Sequence, residues 1–429
     1  MVVKVIGAGL AGVEAAHYLA NKGIKVKLYE MRPKTTTPAH QTGLFAELVC
    51  SNSFRSKDPL NAIGILKSEM EKLNSIVMRS AYLHEVEAGS SLAVDRTLFA
   101  SYITDVIKAH PNIEIINEEV IEIDVNEPTI IAAGPLVSNG LKDNLLKLFG
   151  EEELNFFDAV APIISEKSIN KDICYLKSRY DKGEAAYYNC PMTEEEYKKF
   201  YEFLITAETV PLKEFEVGVF EACLPVEVSA KRGFETLLYG PLKPVGLEYN
   251  GNRPFAVVQL RQDDAIKSMY NLVGFQTNLK FSEQKKLLSL IPGLEKAEIL
   301  RYGVMHKNTY FNSPNILNNF YQSKEFPNIF IAGQITGVEG YLESASSGLL
   351  SGIYMEQYLT NKKIVPIAPE TVIGSLANYI AQPNNKFNPM NANFGLLPLL
   401  EKHKKSERKK LYKERSEKYL LEYIDEVLN

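Results

Sequence analysis

Residues 2–12 read Val2-Val-Lys-Val-Ile-Gly-Ala-Gly-Leu-Ala-Gly12, and this stretch decides the fold. Val2–Ile6 is predicted to be a short buried strand, and Ala11–Asn21 a helix. Ile24–Tyr29 is the next predicted strand, and Glu30 ends it. A Gly-x-Gly-x-x-Gly turn between a strand and a helix is typical of proteins that bind a dinucleotide pyrophosphate. The opening therefore predicts an α/β protein of the Rossmann type.

Each glycine of the turn has a predicted task. Gly7 permits the tight turn, Gly9 lets the backbone approach the pyrophosphate, and Gly12 allows close helix–strand packing. The helix N-terminus offers free N–H groups to phosphates, and Glu30 is expected to bind ribose hydroxyls. The predicted cofactor-binding residues of this segment are Gly7, Ala8, Gly9, Leu10, Ala11, Gly12 and Glu30.

A second segment near the end of the chain favours FAD over NAD. Ile329–Ala332 is predicted to be a buried strand that leads into Gly333 and Gln334, and Ser344–Tyr358 a helix. Such a late strand is common in flavoproteins with two dinucleotide folds, where it places a glycine and a polar residue near the flavin. The helix that follows is expected to direct its N-terminus at the flavin.

Composition limits the alternatives. The chain has 429 residues, 45% of them hydrophobic, with a net charge of −5, so any RNA contact should be local. The four cysteines have no zinc or redox spacing, which predicts no metal site and a reducing, cytoplasmic setting. A fold that begins at Val2 leaves no room for a signal peptide, and no apolar run reaches membrane-spanning length.

The organisation predicted from these segments is a two-dinucleotide-fold FAD-binding domain with an inserted α+β domain. Residues 1–165 form the first part of the FAD-binding domain and residues 166–324 form the inserted domain for substrate or RNA. Residues 325–429 form the second part, which ends in a basic helix from Lys402. The middle of the chain is richer in Tyr, Pro and Lys, which favours this division.

The cysteines are ambiguous from their surroundings alone. Each cysteine is most simply interpreted as a small buried side chain, and this interpretation is the one we adopt for Cys174 and Cys190. Arg55 lies near Cys50, and Lys231 and Arg232 follow Cys223. Because cations stabilise thiolates, the interpretation as a reactive thiol remains an alternative for Cys50 and Cys223.

Further motifs follow the glycine turn along nearly the whole chain, at residues 28–33, 38–40, 45–53, 92–96, 178–186, 223–227, 240–246, 258–262, 301–306, 333–341 and 391–397. Together with the glycine turn, these motifs resemble those of the bacterial folate- and FAD-dependent tRNA (uracil-5-)-methyltransferases. Departures from the family pattern are small and stand at Phe54, Ser229 and Asn278.

The resemblance implies a chemistry and a set of residues. Methylenetetrahydrofolate would supply the carbon, FAD reduced by NADH or NADPH the electrons, and uridine 54 of the tRNA T-loop the acceptor. By this likeness Cys223 attacks C6 of uracil and Cys50 assists beside the flavin, although the two roles could be exchanged. Arg32, Gly333 and Gln334 are further expected FAD contacts, and His306 and Tyr341 are the candidates for folate stacking.

RNA binding calls for exposed cations. Lys402–Lys418 holds nine Lys or Arg against three Glu, and Arg301, His306 and Lys307 are a second candidate patch. A uridine of large-subunit (23S) ribosomal RNA is an alternative target of the same chemistry. An NAD(P)H-linked flavin oxidoreductase and an RNA-binding assembly factor with structural FAD are the other readings, and the oligomeric state is not indicated.

Overall fold

The computed structural model describes residues 2–37, 39–211, 224–384 and 386–428. Its strands are β1 (Val2–Ile6), β2 (Lys25–Tyr29), β3 (Ser53–Ser56), β4 (Glu85–Val86), β5 (Ser91–Val94), β6 (Ile113–Ile116), β7 (Thr129–Ile131), β8 (Leu154–Ala159), β9 (Ile163–Ser165), β10 (Tyr175–Leu176), β11 (Tyr187–Met192), β12 (Ala256–Gln262), β13 (Met269–Leu272), β14 (Ile299–Arg301), β15 (Met305–Tyr310) and β16 (Ile329–Ile331). Its α-helices are α1 (Leu10–Asn21), α2 (Ala62–Lys72), α3 (Ile76–Leu83), α4 (Arg96–Ala109), α5 (Asn139–Phe149), α6 (Glu194–Thr206), α7 (Val226–Lys231), α8 (Thr236–Tyr239), α9 (Phe281–Ser289), α10 (Ser313–Ile316), α11 (Tyr341–Leu359), α12 (Val372–Tyr379) and α13 (Arg408–Tyr423).

A five-stranded parallel sheet forms the centre of the first domain, with strand order β16-β7-β1-β2-β6. The first strand lies in the middle, paired with β2 on one side and β7 on the other. Strand β16 returns from far along the chain and pairs with β7, Ile329 opposite Thr129. This arrangement confirms the Rossmann-type fold, because β1, α1 and β2 form its opening unit.

A second sheet of six antiparallel strands has the order β10-β11-β12-β13-β9-β14 and its own hydrophobic core. Strands β8 and β15 pair as a two-stranded ribbon at the points where the chain leaves and re-enters the first domain. The second sheet thus draws its strands from residues 163 to 301. The expected boundaries at residues 165 and 324 stay a prediction.

Two segments are shorter than the sequence indicates. Residues 113–123 are rich in isoleucine and valine, which favour strands, but the strand ends at Ile116, beyond which the chain carries three glutamates. The helix expected from Lys402 begins at Arg408. Lysines are unfavourable at a helix N-terminus because its dipole end is positive, and Glu407 caps the helix with no side-chain hydrogen bond.

Helices α1 and α11 pack closely enough to place their N-termini at one edge of the parallel sheet. A Cβ atom added to Gly348 would lie 2.0 Å from the carbonyl oxygen of Ala11, so only glycine permits this approach. The carboxyl ends of β1, β7 and β16 reach the same edge. Two helix N-termini and three strand ends therefore face one region, where ligands bind in open α/β sheets.

Candidate active site

A deep cavity opens at this edge of the sheet and encloses about 1000 Å³, its open mouth included. Of the cofactor residues expected from sequence, the cavity wall contains all but Ala8 and Gly12. These wall residues are Gly7, Gly9, Leu10, Ala11, Glu30, Arg32, Gly333 and Gln334.

The three glycines of the turn differ in what surrounds them. Gly7 has a φ of +99°, and an added Cβ would lie 2.4 Å from the carbonyl oxygen of Ala132. At Gly12 an added Cβ would lie 1.8 Å from the carbonyl oxygen of Gly7. At Gly9 it would meet no described atom within 4 Å, because this residue faces the cavity. Packing thus requires glycine at positions 7 and 12 but not at position 9.

Glu30 ends β2 as a buried carboxylate fixed on both oxygens. Oε2 accepts the Ala8 N–H at 2.9 Å, and Oε1 accepts the Arg32 N–H at 3.0 Å and its Nε at 2.9 Å. Burial raises the pKa of Glu30, but the Arg32 guanidinium and these N–H groups lower it overall. Glu30 is therefore ionised, and its remaining lone pairs can accept hydroxyl groups.

Arg32 is in turn held by Glu47, which the sequence reading did not single out. The Arg32 Nη1 donates to Glu47 Oε2 at 3.2 Å, and Glu47 also accepts the N–H groups of Gln41 and Thr42. Both Arg32 and Glu47 line the cavity. Glu47 was in a matched motif, but nothing in its spacing predicted an ion pair with Arg32.

The late segment borders the cavity beside the glycine turn, where a Cβ added to Gly333 would lie 3.3 Å from the Cβ of Ala11. Gly333 has a φ of +88°, and its N–H donates to the Ser347 hydroxyl of α11 at 2.7 Å. The Gln334 amide donates to Glu339, a carboxyl whose pKa burial raises well above its usual range. This hydrogen bond fixes the Gln334 side chain at the cavity wall.

The loop that contains Cys50 is fixed by side chains from three distant parts of the chain. The Tyr341 hydroxyl accepts the N–H groups of Cys50 at 2.8 Å and Ser51 at 3.0 Å. Arg96 donates to the carbonyl oxygens of Leu48 and Cys50, at 2.7 and 3.1 Å. Tyr341, expected from sequence to stack on folate, thus lines the cavity and also anchors this loop.

Two further contacts tie the loop to the second sheet. Arg96 Nε lies 2.9 Å from Asp263 Oδ2, and both side chains are largely buried. Arg301 donates to the carbonyl oxygens of Val49 and Ala39, at 2.9 and 3.1 Å. Sequence reasoning missed Arg96 and Asp263 as partners because they are 167 positions apart. The matched segment 92–96 includes Arg96, but Asp263 lies one residue beyond the matched segment 258–262.

Cys50 itself is half-buried, with its Sγ 3.8 Å from the carbonyl oxygen of Ala159. Burial raises the pKa of the Cys50 thiol, Asp158 adds to the rise, and Arg96 opposes it. The thiol is therefore protonated at neutral pH.

Cys223 lies outside the described residues. Cys174 and Cys190 are buried in the second domain with their sulfur atoms 3.2 Å apart. The sequence analysis treated them as separate residues and did not predict this contact.

The two candidate stacking residues lie in different surroundings. His306 is buried on β15, its Nε2 3.9 Å from Asp158, and burial lowers its pKa. It is absent from the described wall of the cavity, whereas His40, which was not singled out, belongs to that wall. Burial lowers the pKa of His40 to about 4. Both imidazoles are therefore neutral at physiological pH.

The basic patch expected from Arg301, His306 and Lys307 does not form. Arg301 is committed to backbone carbonyl groups, and His306 is buried. Lys307 lies 2.9 Å from Glu153 in an ion pair. The patch was inferred from neighbours in sequence, but alternate residues of a strand point to opposite faces of the sheet.

A parallel sheet, a glycine turn open to a long cavity and a carboxylate at the end of the second strand define a dinucleotide-binding protein of the Rossmann class. The family model described as "GIDA: Glucose inhibited division protein A" matches residues 2–363. The chain belongs to this family. Within the described residues, no helix has the length and apolar character needed to cross a membrane.

Full-length relatives give a narrower affiliation. The chain is 61% identical over 424 residues to a protein of Acholeplasma laidlawii named methylenetetrahydrofolate--tRNA-(uracil-5-)-methyltransferase TrmFO, with 99% of each chain covered. It is 57% identical over 433 residues to the protein of that name from Anoxybacillus flavithermus, covering 100% of this chain and 99% of the relative. A solved structure of Aquifex aeolicus GidA, 16% identical, superposes with a TM-score of 0.67 over 89% of this chain and 71% of that one, which supports the fold.

Proposed function

We propose that this protein methylates C5 of a uridine in tRNA, with methylenetetrahydrofolate as carbon donor and FAD as the bound redox cofactor. The observation that supports this most is the 61% identity over 99% of both chains to a relative whose name states the reaction. Uridine 54 of the T-loop is the proposed acceptor, and NADH or NADPH the proposed source of electrons. When bound, reduced FAD would supply the electrons that turn the methylene carbon into a methyl group.

The cavity has the groups that such a cofactor requires. The Gly9 backbone and the N-terminus of α1 would bind the pyrophosphate, because Gly9 adds no side chain between them and the cavity. Glu30 would accept the ribose hydroxyls, and Arg32 fixes its orientation. Gly333 and Gln334, near the N-terminus of α11, would face the flavin ring system.

Methylation at C5 needs a nucleophile and a base because C5 of uracil is a weak nucleophile. Addition of a thiolate to C6 makes an enolate whose C5 attacks the one-carbon unit. A base then removes the C5 proton, and elimination of the thiolate restores the C5–C6 double bond. We assign the attack to Cys223 and an assisting role to Cys50. The raised pKa of the Cys50 thiol supports this order, since a neutral thiol is a poor nucleophile.

For folate, the observed surroundings of the two candidates support different tasks. Tyr341 lies on the cavity wall, so its ring can contact a flat ligand while its hydroxyl holds the Cys50 loop. His306 would reach a pterin only from beyond the described wall. Its neutral imidazole, and that of His40, suit stacking on an uncharged ring.

The decisive experiment measures transfer of labelled carbon from methylenetetrahydrofolate to a tRNA transcript in the presence of NADPH. Wild-type protein should label C5 of uridine 54, and Cys223→Ala should lose at least about a thousandfold in rate while it retains FAD. Cys174→Ala is the matched control, because Cys174 is buried away from the cavity and its loss should leave activity intact.

Three results would contradict parts of the proposal. NADPH oxidation without labelled RNA would favour a small-molecule oxidoreductase. Label in a 23S ribosomal RNA transcript but not in tRNA would show that the RNA substrate is ribosomal RNA and not tRNA. Wild-type activity in Cys223→Ala would remove the nucleophile assignment and leave Cys50 as the attacking thiol.

A further inference from the structure

A cluster of exposed positive charge lies just before and at the start of α13. We name the surface of Lys402, Lys404, Lys405, Arg408 and Lys409 the basic shoulder; all five side chains belong to exposed residues. We propose that the basic shoulder binds the phosphate backbone of the RNA substrate and directs it toward the Cys50 loop. This inference rests on the proposed function and names the surface that the partner contacts.

Three of the five cations of the basic shoulder are not neutralised by a carboxylate of the described residues. Lys402, Lys404 and Lys405 have no acidic partner within 4.0 Å among residues that the structure describes. Further along, Lys410 pairs with Glu414 at 3.6 Å and Lys418 with Glu422 at 3.8 Å. Lys402, Lys404 and Lys405 thus differ from these two lysines, whose charges are balanced within α13.

The position of this charge is unfavourable for the protein alone. Residues 401–410 hold six Lys or Arg against two Glu, in a chain whose net charge is −5. Like charges repel, and cations next to a helix N-terminus oppose the helix dipole. Phosphate groups would relieve both effects and release counterions, which makes a polyanion the complementary partner.

One cation of the shoulder is oriented by aromatic packing. The Arg408 guanidinium lies 5.6 Å from the ring centre of Tyr412, and Arg415 lies 5.1 Å from the same ring. Tyr412 is buried and stacks on Phe394 with ring centres 4.9 Å apart. This packing limits the rotamers of Arg408, so less side-chain entropy is lost when it binds a phosphate.

A series of side-chain contacts leads from the basic shoulder toward the active site. Lys409 Nζ donates to Asn61 Oδ1 at 2.7 Å, and Asn61 donates to the Ser56 hydroxyl at 3.2 Å. The adjacent Arg55 pairs with Glu343 in the first turn of α11, the helix that begins with Tyr341. A strand of RNA on the shoulder would therefore run along residues 55–61 toward Cys50.

The test compares two charge reversals of equal size. K404E/K405E alters the shoulder, and K198E/K199E alters two adjacent exposed lysines on α6 of the second domain. We measure tRNA binding by fluorescence anisotropy over a range of salt concentrations, and methylation at varied tRNA concentration. K404E/K405E should raise the Kd and KM for tRNA about tenfold and lower the slope of log affinity against log salt by about 1 to 2. NADPH oxidation, FAD content and kcat should stay unchanged.

Failure of the inference and failure of the proposed function are separable. Wild-type protein that transfers no label to tRNA would contradict the function itself. Active wild-type protein together with unchanged Kd, KM and salt slope in K404E/K405E would overturn the basic shoulder as the RNA surface. Equal losses in both double variants would overturn it too, because the effect would then follow net charge and not position.

Discussion

Individual residues of the cavity differ in whether the fold or the ligand demands them. Gly12 is required by packing, since any side chain would collide with the backbone of Gly7. Gly9 has a φ of −74°, which every residue can adopt, and free space around its Cα. The fold therefore does not require glycine at position 9, which is what the proposed close approach of a pyrophosphate predicts.

This contrast predicts different outcomes for two substitutions. Gly9→Val should give folded protein that purifies colourless, because the side chain would occupy the space of the pyrophosphate, while Gly12→Val should prevent folding. Absorbance near 450 nm and circular dichroism of both variants check this. FAD bound at wild-type stoichiometry in Gly9→Val would contradict the cradle.

At the scale of elements, a single buried carboxylate joins three helices. Glu69 of α2 accepts the N–H groups of Val372 and Ile373, each at 2.7 Å, and the hydroxyl of Ser416. The first two contacts cap the N-terminus of α12, and the third holds α13, whose start forms the basic shoulder. Glu69 thus links the C-terminal helices to the first domain.

Glu69→Ala should lower the free energy of unfolding by about 2–4 kcal/mol, because it leaves buried donors without an acceptor. Burial raises the pKa of Glu69 from 4.5 to about 7. The contribution of the Glu69 carboxyl to the free energy of unfolding is therefore fully present below pH 4.5 and is lost as the pH rises through 7. Between pH 5 and 8 the free energy of unfolding, measured with urea, should fall less with rising pH in the variant than in wild type. Glu71→Ala, exposed on the same helix, is the control, and an equal effect there would contradict the assignment.

At the scale of the whole molecule, the Cys50 loop lies where the two domains meet. Arg96 binds this loop and Asp263, which directly follows β12 of the second sheet. Arg261 of β12 adds contacts to Asn52 at 3.0 Å and Ser51 at 2.8 Å. The orientation of the second domain and the position of Cys50 are therefore coupled.

Asp263→Asn should weaken that coupling, because it leaves the buried Arg96 charge without a carboxylate, at a cost of about 3–5 kcal/mol. We expect a lower melting temperature and faster alkylation of Cys50 by iodoacetamide, followed by peptide mass spectrometry. Glu87→Gln is the control, since its ion pair with Lys267 joins the same two parts of the chain but is about half exposed. Unchanged Cys50 reactivity in Asp263→Asn would argue against a positioning role.

The sequence by itself determined the opening strand–helix–strand unit, the late strand that returns to the same sheet and the helix after it. Local periodicity and glycine spacing are properties of short segments, and the structure contains these elements within three residues of their expected limits. The resemblance identified the family, because motifs spread over nearly the whole chain are far more specific than a single glycine turn.

Only the tertiary structure decided which side chains meet. The partners Arg96 and Asp263, Cys50 and Tyr341, and Cys174 and Cys190 are brought together by the folding of distant segments. The false patch at Arg301–Lys307 and the late start of α13 have the same origin. Burial, strand direction and helix dipoles act on residues in space, and composition along the chain does not reveal them.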